Sequence, residues 1–136
     1  MPLFMLDTDT ASCLIRGRKP LLDARVSRVP PGQICISAVT RGELLYGLKL
    51  KEGAVRLAKV VEQFLSRVDC LSWDAAAATQ FASVASVLHK AGMQIGSMDA
   101  MIAGHALAVG AVLVTNNGRH FARVPGLTVE NWTQDH

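Results

Sequence analysis

Residues 3–10 of this chain are Leu-Phe-Met-Leu-Asp-Thr-Asp-Thr, an apolar run that ends abruptly in the carboxylate of Asp7. A short apolar run bounded by polar residues is typical of a buried strand. Residues 111–114 form a second such run, which ends in Thr115 and the pair Asn116–Asn117. In parallel α/β sheets, ligands collect beyond the carboxyl ends of the strands. We therefore expect the polar side chains at these two strand ends to belong to one site.

The rest of the chain alternates between strand and helix patterns, which predicts an α/β fold. Strands are predicted at residues 3–6, 34–36, 69–71, 111–114 and 127–130, and helices at 9–17, 20–29, after an N-cap at Ser37, at 53–68, from a cap at Asp74 to 90, and from a cap at Ser97 to 109. Strands separated by helices form a central parallel sheet with helices on both faces. The 136 residues contain no linker or repeat, so we expect one domain over residues 1–136.

Three carboxylates are candidates for a metal site at the sheet edge: Asp7, Glu43 and Asp99. Carboxylates brought together repel one another unless a cation lies between them. Hard oxygen ligands without Cys or His partners suit Mg²⁺, or Mn²⁺, better than zinc. A cation held in this way most often handles phosphate, so the pattern favours metal-dependent phosphate chemistry.

Each candidate also has a purely structural explanation. Asp7 is placed to cap the following helix, although Thr8 and Asp9 lie closer to it. Glu43 has the spacing of an ordinary exposed helical residue. Asp99 lies in a first helical turn, where a carboxylate is favoured by the helix dipole. Asn117 and Gly118 together are a strong turn signal.

The four histidines are weaker candidates. His105 lies in an Ala-rich helix and is predicted to be a packed core residue rather than a metal ligand. His120 is near the Asn pair and close enough to touch a phosphate, whereas His89 and His136 are predicted to be superficial. The sequence has no H-x-x-x-H, G-x-S-x-G or phosphate-binding glycine loop, which argues against zinc hydrolases, serine hydrolases and P-loop enzymes.

The net charge of +3 is mild but unevenly distributed. Residues 16–51 hold eight basic residues against two acids. The basic residues are Arg16, Arg18, Lys19, Arg25, Arg28, Arg41, Lys49 and Lys51. A basic region beside an acidic pocket is typical of an enzyme that handles a polyanion. The alternative is an ordinary solvated helical face.

The cysteines indicate the compartment. Cys13, Cys35 and Cys70 are odd in number and form no C-x-x-C pair, and two of them lie in apolar stretches. This predicts buried thiols in a reducing cytosol. The start of the chain lacks the basic region of a signal peptide, and the longest apolar stretch, residues 106–114, is too short to span a bilayer. We therefore expect a cytoplasmic protein.

Four blocks of sequence together resemble the PIN-domain ribonucleases, specifically the VapC toxins of bacterial toxin–antitoxin pairs. The blocks are Met5-Leu6-Asp7-Thr8, residues 36–47 with Glu43-Leu44-Leu45-Tyr46-Gly47, residues 95–106 around Asp99, and residues 113–117 followed by Phe121. The resemblance runs nearly end to end. It implies a single PIN domain with an Asp7, Glu43 and Asp99 metal site. The family's fourth acidic position falls on Asn117, which leaves one-metal and two-metal chemistry both open.

The resemblance also implies an activity and partners. The activity is Mg²⁺-dependent hydrolysis of structured RNA, commonly tRNA or ribosomal RNA. Asp7, Glu43, Asp99 and Asn117 would form the catalytic site, supported by Thr8, Asp9, Thr115 and Asn116. Six basic residues would grip the RNA phosphates: Arg16, Arg18, Lys19, Arg41, Lys49 and Lys51. The implied partners are a second copy of the chain and a VapB-type antitoxin that covers the catalytic groove and carries the contact with promoter DNA.

Two alternatives fit part of the sequence. The order Asp7-x-Asp9-x resembles the opening of haloacid-dehalogenase-type phosphatases, with Asp7 as nucleophile and Ser37 as a phosphate donor. That family also needs a later Lys and an acidic pair after a further strand, where this chain has two Asn. The second alternative is a catalytically impaired PIN domain that only binds RNA or a protein, because the fourth position is neutral.

Overall fold

The computed structural model describes residues 2–134, and its centre is one sheet of parallel strands. The five strands have the order β3-β2-β1-β4-β5. They are β1 (Phe4–Leu6), β2 (Ile34–Ser37), β3 (Asp69–Leu71), β4 (Val112–Val114) and β5 (Val129–Glu130). In the central strand, Leu6 lies level with Ile36 of β2 and with Val114 of β4. The predicted parallel α/β sheet is confirmed, with a shorter β5 than the sequence indicates.

Helices connect the strands throughout the described residues. They are α1 (Thr8–Arg16), α2 (Pro20–Arg28), α3 (Ala38–Lys49), α4 (Val55–Arg67), α5 (Ala75–Lys90), α6 (Ser97–Val109) and α7 (Gly118–Phe121), and a single 3-10 turn lies at Pro31–Gln33. The short helix α7 was not predicted. Asn117 and Gly118 begin this helix instead of forming an isolated turn.

The sheet separates two apolar cores, because successive side chains of a strand point to opposite faces. Met5 and Leu113 are fully buried on one face, where they belong to a cluster with Ile102 of α6. Leu6 is fully buried on the other face, in a cluster with Leu22 of α2. Helices therefore cover both faces of the sheet, as predicted.

The helix starts differ from the sequence prediction in two places. Asp7, and not Thr8 or Asp9, caps α1, since its Oδ1 accepts a hydrogen bond from the Thr10 N–H at 2.9 Å. The predicted cap at Ser97 is wrong, because Gly96 precedes α6 and supplies no side-chain hydrogen bond. Gly96 has a φ of 94°, a conformation that L side chains rarely adopt, so a serine is disfavoured there. Ser37 and Asp74 cap α3 and α5, as predicted.

Helices α5 and α6 pack closely as a hairpin, and this contact fixes the position of α6. A Cβ on Gly104 would lie 2.6 Å from the backbone nitrogen of Phe81, so only glycine permits this approach. Trp73, just before α5, donates from Nε1 to the Met101 carbonyl at 3.0 Å and meets the Phe81 ring edge-on. The start of α6, which carries Asp99, is thereby held against the body of the protein.

The three cysteines differ in their exposure to solvent. All three cysteines are free. Cys35 is buried, and burial raises the pKa of its thiol to about 12, but Cys13 is half-buried and Cys70 is exposed. The prediction of two buried thiols therefore holds for Cys35 alone. Over residues 2–134, no helix has the length and apolar character needed to cross a membrane.

Candidate metal and nuclease site

The candidate site lies where the chain order reverses across the sheet. From β1 the chain runs first to β2 and β3 on one side, and it later returns to β4 and β5 on the other. In open α/β sheets, the crevice beyond the carboxyl ends of the strands at such a reversal is where ligands bind. Asp7 lies at this point, and its backbone N–H donates to the Val114 carbonyl at 3.1 Å.

Asp7 is buried and firmly oriented. Only 4% of the residue is exposed. One carboxylate oxygen accepts from the Thr10 N–H at 2.9 Å, and the other accepts from the Thr115 hydroxyl at 2.5 Å. Burial raises the pKa of Asp7, and the two hydrogen bonds oppose this shift without cancelling it. The carboxylate is thus placed with little freedom and at an electrostatic cost.

Glu43 is positioned by α3 and by a hydroxyl at the start of α1. It is half-buried, which is not the exposed surface position that its spacing permits. Thr8 donates from its hydroxyl to Oε1 of Glu43 at 2.6 Å. The same hydroxyl lies 3.1 Å from Oγ1 of Thr40. Glu43 is therefore partly buried and held by Thr8, which connects the end of β1 to α3 at the site.

Asp99, in the first turn of α6, faces the other two carboxylates. Its pKa is raised, first by burial and then by repulsion from Asp7 and Glu43, with a smaller contribution from Asp9. His120 lowers it in part, from a separation of 3.9 Å between Nδ1 and Oδ2 of Asp99. The helix start alone would favour the charged form. The raised pKa shows that burial and the facing carboxylates outweigh that effect.

The segment after β4 extends the site through hydrogen bonds. Thr115 is buried and donates to Asp7, and its Oγ1 accepts from the Asn117 N–H at 2.9 Å. The Asn117 side chain turns to His120, with Nδ2 3.0 Å from Nδ1 of the imidazole. Asn116 is exposed, and its Nδ2 lies 4.0 Å from the Cys13 sulfur. The sequence placed His120 near the Asn pair but gave no sign that Asn117 binds it.

Two of the six predicted RNA-binding residues line a groove beside the site. Arg16 and Lys51 line an open groove of about 250 Å³ together with Thr8, Asp9 and Glu43. The remaining four, Arg18, Lys19, Arg41 and Lys49, are exposed and lie outside the lining of this groove. The groove is therefore lined by both carboxylates and cations.

The donor set is chemically suited to a hard divalent cation. Across the described residues, no three His, Cys, Asp or Glu side chains are already close enough together to hold a metal ion. Yet no lysine or arginine of residues 2–134 pairs with Asp7, Glu43 or Asp99. Burial disfavours the charged form of Asp7, and burial together with repulsion from Asp7 and Glu43 disfavours that of Asp99. A cation between oxygen ligands relieves this repulsion, and Mg²⁺ and Mn²⁺ prefer such ligands. The chemistry of these oxygen ligands therefore fits a hard divalent cation.

Comparison with known proteins decides the family. The sequence profile described as "PIN domain" matches residues 4–127. The chain belongs to the PIN-domain family. It is also 42% identical over 130 residues to the tRNA(fMet)-specific endonuclease VapC of Shigella flexneri, covering 96% of this chain and 98% of that one. Ribonuclease VapC2 of Haemophilus influenzae is 39% identical, covering 95% of this PIN domain and 97% of the relative.

Solved structures agree with the sequence relatives. The PIN domain superposes on a chain of DNA-bound VapBC from Salmonella typhimurium with a TM-score of 0.90 and 39% identity, covering 97% of this chain and 99% of that one. It superposes on a chain of VapBC2 from Rickettsia felis, bound to a DNA fragment from its promoter, with a TM-score of 0.88 and 30% identity. That match covers 96% of this chain and 98% of the other. The predicted membership among the VapC ribonucleases of toxin–antitoxin systems is confirmed.

The phosphatase alternative is wrong. The family match assigns the chain to another class of enzyme. The structure agrees, because Ser37 is fully buried at the end of β2 and its hydroxyl lies 2.7 Å from Nδ1 of the buried His105. A hydroxyl in that position does not reach a phosphate beside Asp7. His105 is a packed core residue, as predicted.

Proposed function

We propose that this PIN domain is a divalent-metal-dependent endoribonuclease in which Asp7, Glu43 and Asp99 hold Mg²⁺ or Mn²⁺. The observation that carries the proposal is the raised pKa of Asp99, which arises from burial beside two facing carboxylates. Carboxyl groups whose pKa is raised by burial and by neighbouring carboxylates are common at functional sites. The family supplies the class of reaction, hydrolysis of RNA.

The side chains have distinct tasks in this mechanism. A bound cation lowers the pKa of a water molecule and counters the charge that develops on the phosphate. Hydrogen bonds from Thr10 and Thr115 hold Asp7 in one orientation, and Thr8 does the same for Glu43. Glu43 binds the cation or orients the attacking water. Attack of water on phosphorus, with the 3′-oxygen leaving, gives a 5′-phosphate and a 3′-hydroxyl.

We propose structured RNA, and specifically tRNA, as the substrate. Two relatives at 42% and 39% identity bear the name tRNA(fMet)-specific endonuclease. The groove that runs from Glu43 to Arg16 and Lys51 offers cations to the phosphates that flank the cleaved bond. More distant phosphates would be contacted by four exposed basic residues, Arg18, Lys19, Arg41 and Lys49. Selectivity would come from the shape of an RNA loop.

The proposed partners are a VapB-type antitoxin and a second copy of the chain. The structural relatives are VapBC complexes, and two of them contain DNA. An apolar groove of about 340 Å³ lies between α1, α2 and α4, lined by residues such as Leu14, Val26 and Phe64. It adjoins the acidic groove, since Ile15 lines both, so a partner seated there also reaches the site. In this arrangement promoter DNA is bound by the antitoxin, and the complex is cytoplasmic.

The test is cleavage of total cellular RNA by antitoxin-free protein in Mg²⁺ or Mn²⁺, with sequencing of the 5′-phosphate ends. EDTA and the Asp7→Asn variant serve as controls. We expect cuts concentrated in one RNA loop that disappear in both controls. Absence of metal-dependent cuts by folded protein contradicts the proposal and favours a PIN domain that only binds RNA or protein. Ends with a 2′,3′-cyclic phosphate contradict the metal-dependent mechanism.

A further inference from the structure

Asn117, which the family resemblance predicts as the fourth position of the site, is bonded to a neighbouring side chain. Its Nδ2 lies 3.0 Å from Nδ1 of His120, one turn along α7. Its backbone N–H donates to Thr115 Oγ1 at 2.9 Å, and Thr115 donates in turn to Asp7. A continuous set of hydrogen bonds therefore runs from Asp7 through Thr115 and Asn117 to the imidazole.

This arrangement selects one tautomer of His120. With the amide nitrogen of Asn117 facing it, Nδ1 of the neutral ring is the acceptor, because an amide nitrogen only donates, and the ring proton then lies on Nε2. The separation of 3.9 Å between Nδ1 and Asp99 Oδ2 is too long for a hydrogen bond, so Asn117 orients the ring and Asp99 does not. The partner of one ring nitrogen thus decides what the other one offers.

The N–H on Nε2 is available to a ligand. The side chain of His120 is 40% exposed, and within residues 2–134 its Nε2 has no hydrogen-bond partner. The ring lies beside Asp99 and so borders the proposed metal position. Nε2 carries a proton both in this tautomer and in the protonated ring, so it offers a donor to a ligand in either state.

We propose that His120 contacts the RNA at the cleaved phosphate through its Nε2–H, and that Asn117 is a positioning residue that acts through His120. The proposal rests on the nuclease function proposed above. It gives Asn117 a role other than that of a fourth metal ligand. The donor would bind a phosphate oxygen beside Asp99, while Arg16 and Lys51 would contact phosphates in the groove that Glu43 lines.

The experiment compares Asn117→Ala, His120→Ala and the double variant. Cleavage of the RNA identified above is measured as kcat and KM over a range of Mg²⁺ concentrations. Binding of fluorescently labelled total tRNA, a probe chosen independently of the cleavage result, is measured by anisotropy in EDTA, where the metal-dependent cleavage is off. The matched control is the pair His89 and Gln94, in which an amide nitrogen lies 2.8 Å from Nδ1 of an exposed imidazole away from the site.

We expect His120→Ala to lower kcat/KM on the order of 10- to 100-fold, as for loss of one hydrogen bond to a charged group. Free imidazole restores part of the activity. Asn117→Ala has a smaller effect, and the double variant is no worse than His120→Ala, because the two residues act as one unit. The Mg²⁺ concentration for half-maximal activity stays unchanged in all three. His89→Gln and Gln94→Ala cleave as the parent does.

Additive losses, or a higher Mg²⁺ requirement in Asn117→Ala, overturn the proposal and make Asn117 a metal ligand. Cleavage and binding by His120→Ala equal to those of the parent overturn the contact with RNA. Weaker RNA binding by His120→Ala in EDTA supports that contact even if the parent protein cuts no RNA. Failure of the nuclease function is thereby distinguished from failure of this inference.

Discussion

Two polar clusters lie at the same edge of the same sheet and differ in kind. At the ends of β1 and β4, Thr115 donates a hydrogen bond to Asp7, and the Asp7 carboxylate repels that of Asp99. At the end of β2, Ser37 and His105 form a closed neutral pair with 2.7 Å between Oγ and Nδ1. The carboxylates of the first cluster repel one another, whereas the two side chains of the second cluster are hydrogen-bonded to each other. A polar strand end therefore indicates a site only where the strand borders the reversal in strand order.

The pKa shifts express the same difference. Burial and repulsion raise the pKa of Asp99, so the folded protein resists the charge that it carries at neutral pH. Burial lowers the pKa of His105, so the ring is neutral at the pH where the cell works. The acidic cluster stores unfavourable energy that a cation relieves on binding. The Ser37 and His105 pair stores none and serves the fold.

Asp7→Asn is the substitution with the largest expected effect. It removes one charge from the acidic cluster but keeps an N-cap for α1, because Asn caps helices as well as Asp. We expect kcat on labelled RNA to fall on the order of 10²- to 10³-fold, the size seen for loss of a group that stabilises transition-state charge. Circular dichroism should show an unchanged fold. Residual activity within a few-fold of the parent would remove Asp7 from the site.

Gly104→Ala should disturb both clusters at once, because Asp99 and His105 both belong to α6. The added methyl would overlap the Phe81 backbone and push α5 and α6 apart. We expect the free energy of unfolding to fall by about 1–3 kcal/mol, as for other overpacked cores. Gly42→Ala, where a Cβ meets nothing within 4 Å, is the control and should be neutral or slightly stabilising in urea unfolding. Equal stability of the two variants contradicts the close helix contact.

Ser37→Ala separates fold from chemistry. It removes the N-cap of α3, where the hydroxyl accepts from the Val39 N–H at 3.1 Å, and it leaves His105 without its partner. We expect the free energy of unfolding to fall by about 1–2 kcal/mol, measured in urea. The kcat of the folded protein should change less than about twofold, the margin within which a residue away from the chemistry is neutral. A large loss of kcat would place β2 in the active site.

The smallest expected effect is the contribution of Asp99 to the pH dependence of the free energy of unfolding. Asp99 has a folded pKa above its unfolded value of 3.8, so its charge destabilises the fold above that folded pKa, and the penalty disappears as pH falls towards 3.8. In EDTA near pH 7, Asp99→Asn should therefore be more stable than the parent, by less than about 1 kcal/mol because solvent screens the half-exposed group. Thermal unfolding at several pH values should show this difference shrinking on acidification. A difference that grows instead contradicts the assigned repulsion.

His105 has the opposite pH dependence. Its folded pKa lies below the unfolded value of 6.5, so its contribution to stability is complete above pH 6.5 and is lost as pH falls below it. A His105→Gln variant should lose this acid sensitivity between pH 6.5 and the lowered folded pKa. Thermal unfolding of the two proteins over that interval checks the sign. Parallel pH profiles contradict it.

Much of the fold was predictable from local pattern. The apolar run before Asp7 and its partner before Thr115 identified the two strands that border the site, and the alternation of strands and helices gave the parallel sheet. The caps at Ser37 and Asp74 followed from side-chain chemistry. The resemblance to VapC ribonucleases came from four blocks that the fold brings to one edge of the sheet.

What the sequence did not give depends on contacts between distant segments. Asp7 caps α1 and also faces the site, because one oxygen serves each purpose. The half-buried state of Glu43 requires Thr8 at the end of another strand. The hydrogen bond between Asn117 and His120 depends on the four-residue helix α7. The Asn117-Gly118 pair predicts a turn rather than the start of a helix. The metal-binding roles of Asp7, Glu43 and Asp99 remain predictions, and the repulsion of Asp99 by the other two carboxylates is consistent with them.

The most direct test of the central claim is calorimetric titration with Mn²⁺ of the parent protein, Asp99→Asn and Ser37→Ala, all free of antitoxin. We expect saturable binding to the parent and to Ser37→Ala, and none to Asp99→Asn at the same metal concentrations. Equal binding by all three, or no binding by the parent at millimolar Mn²⁺, would contradict the claim that the facing carboxylates beside β1 and β4 form a divalent-metal site.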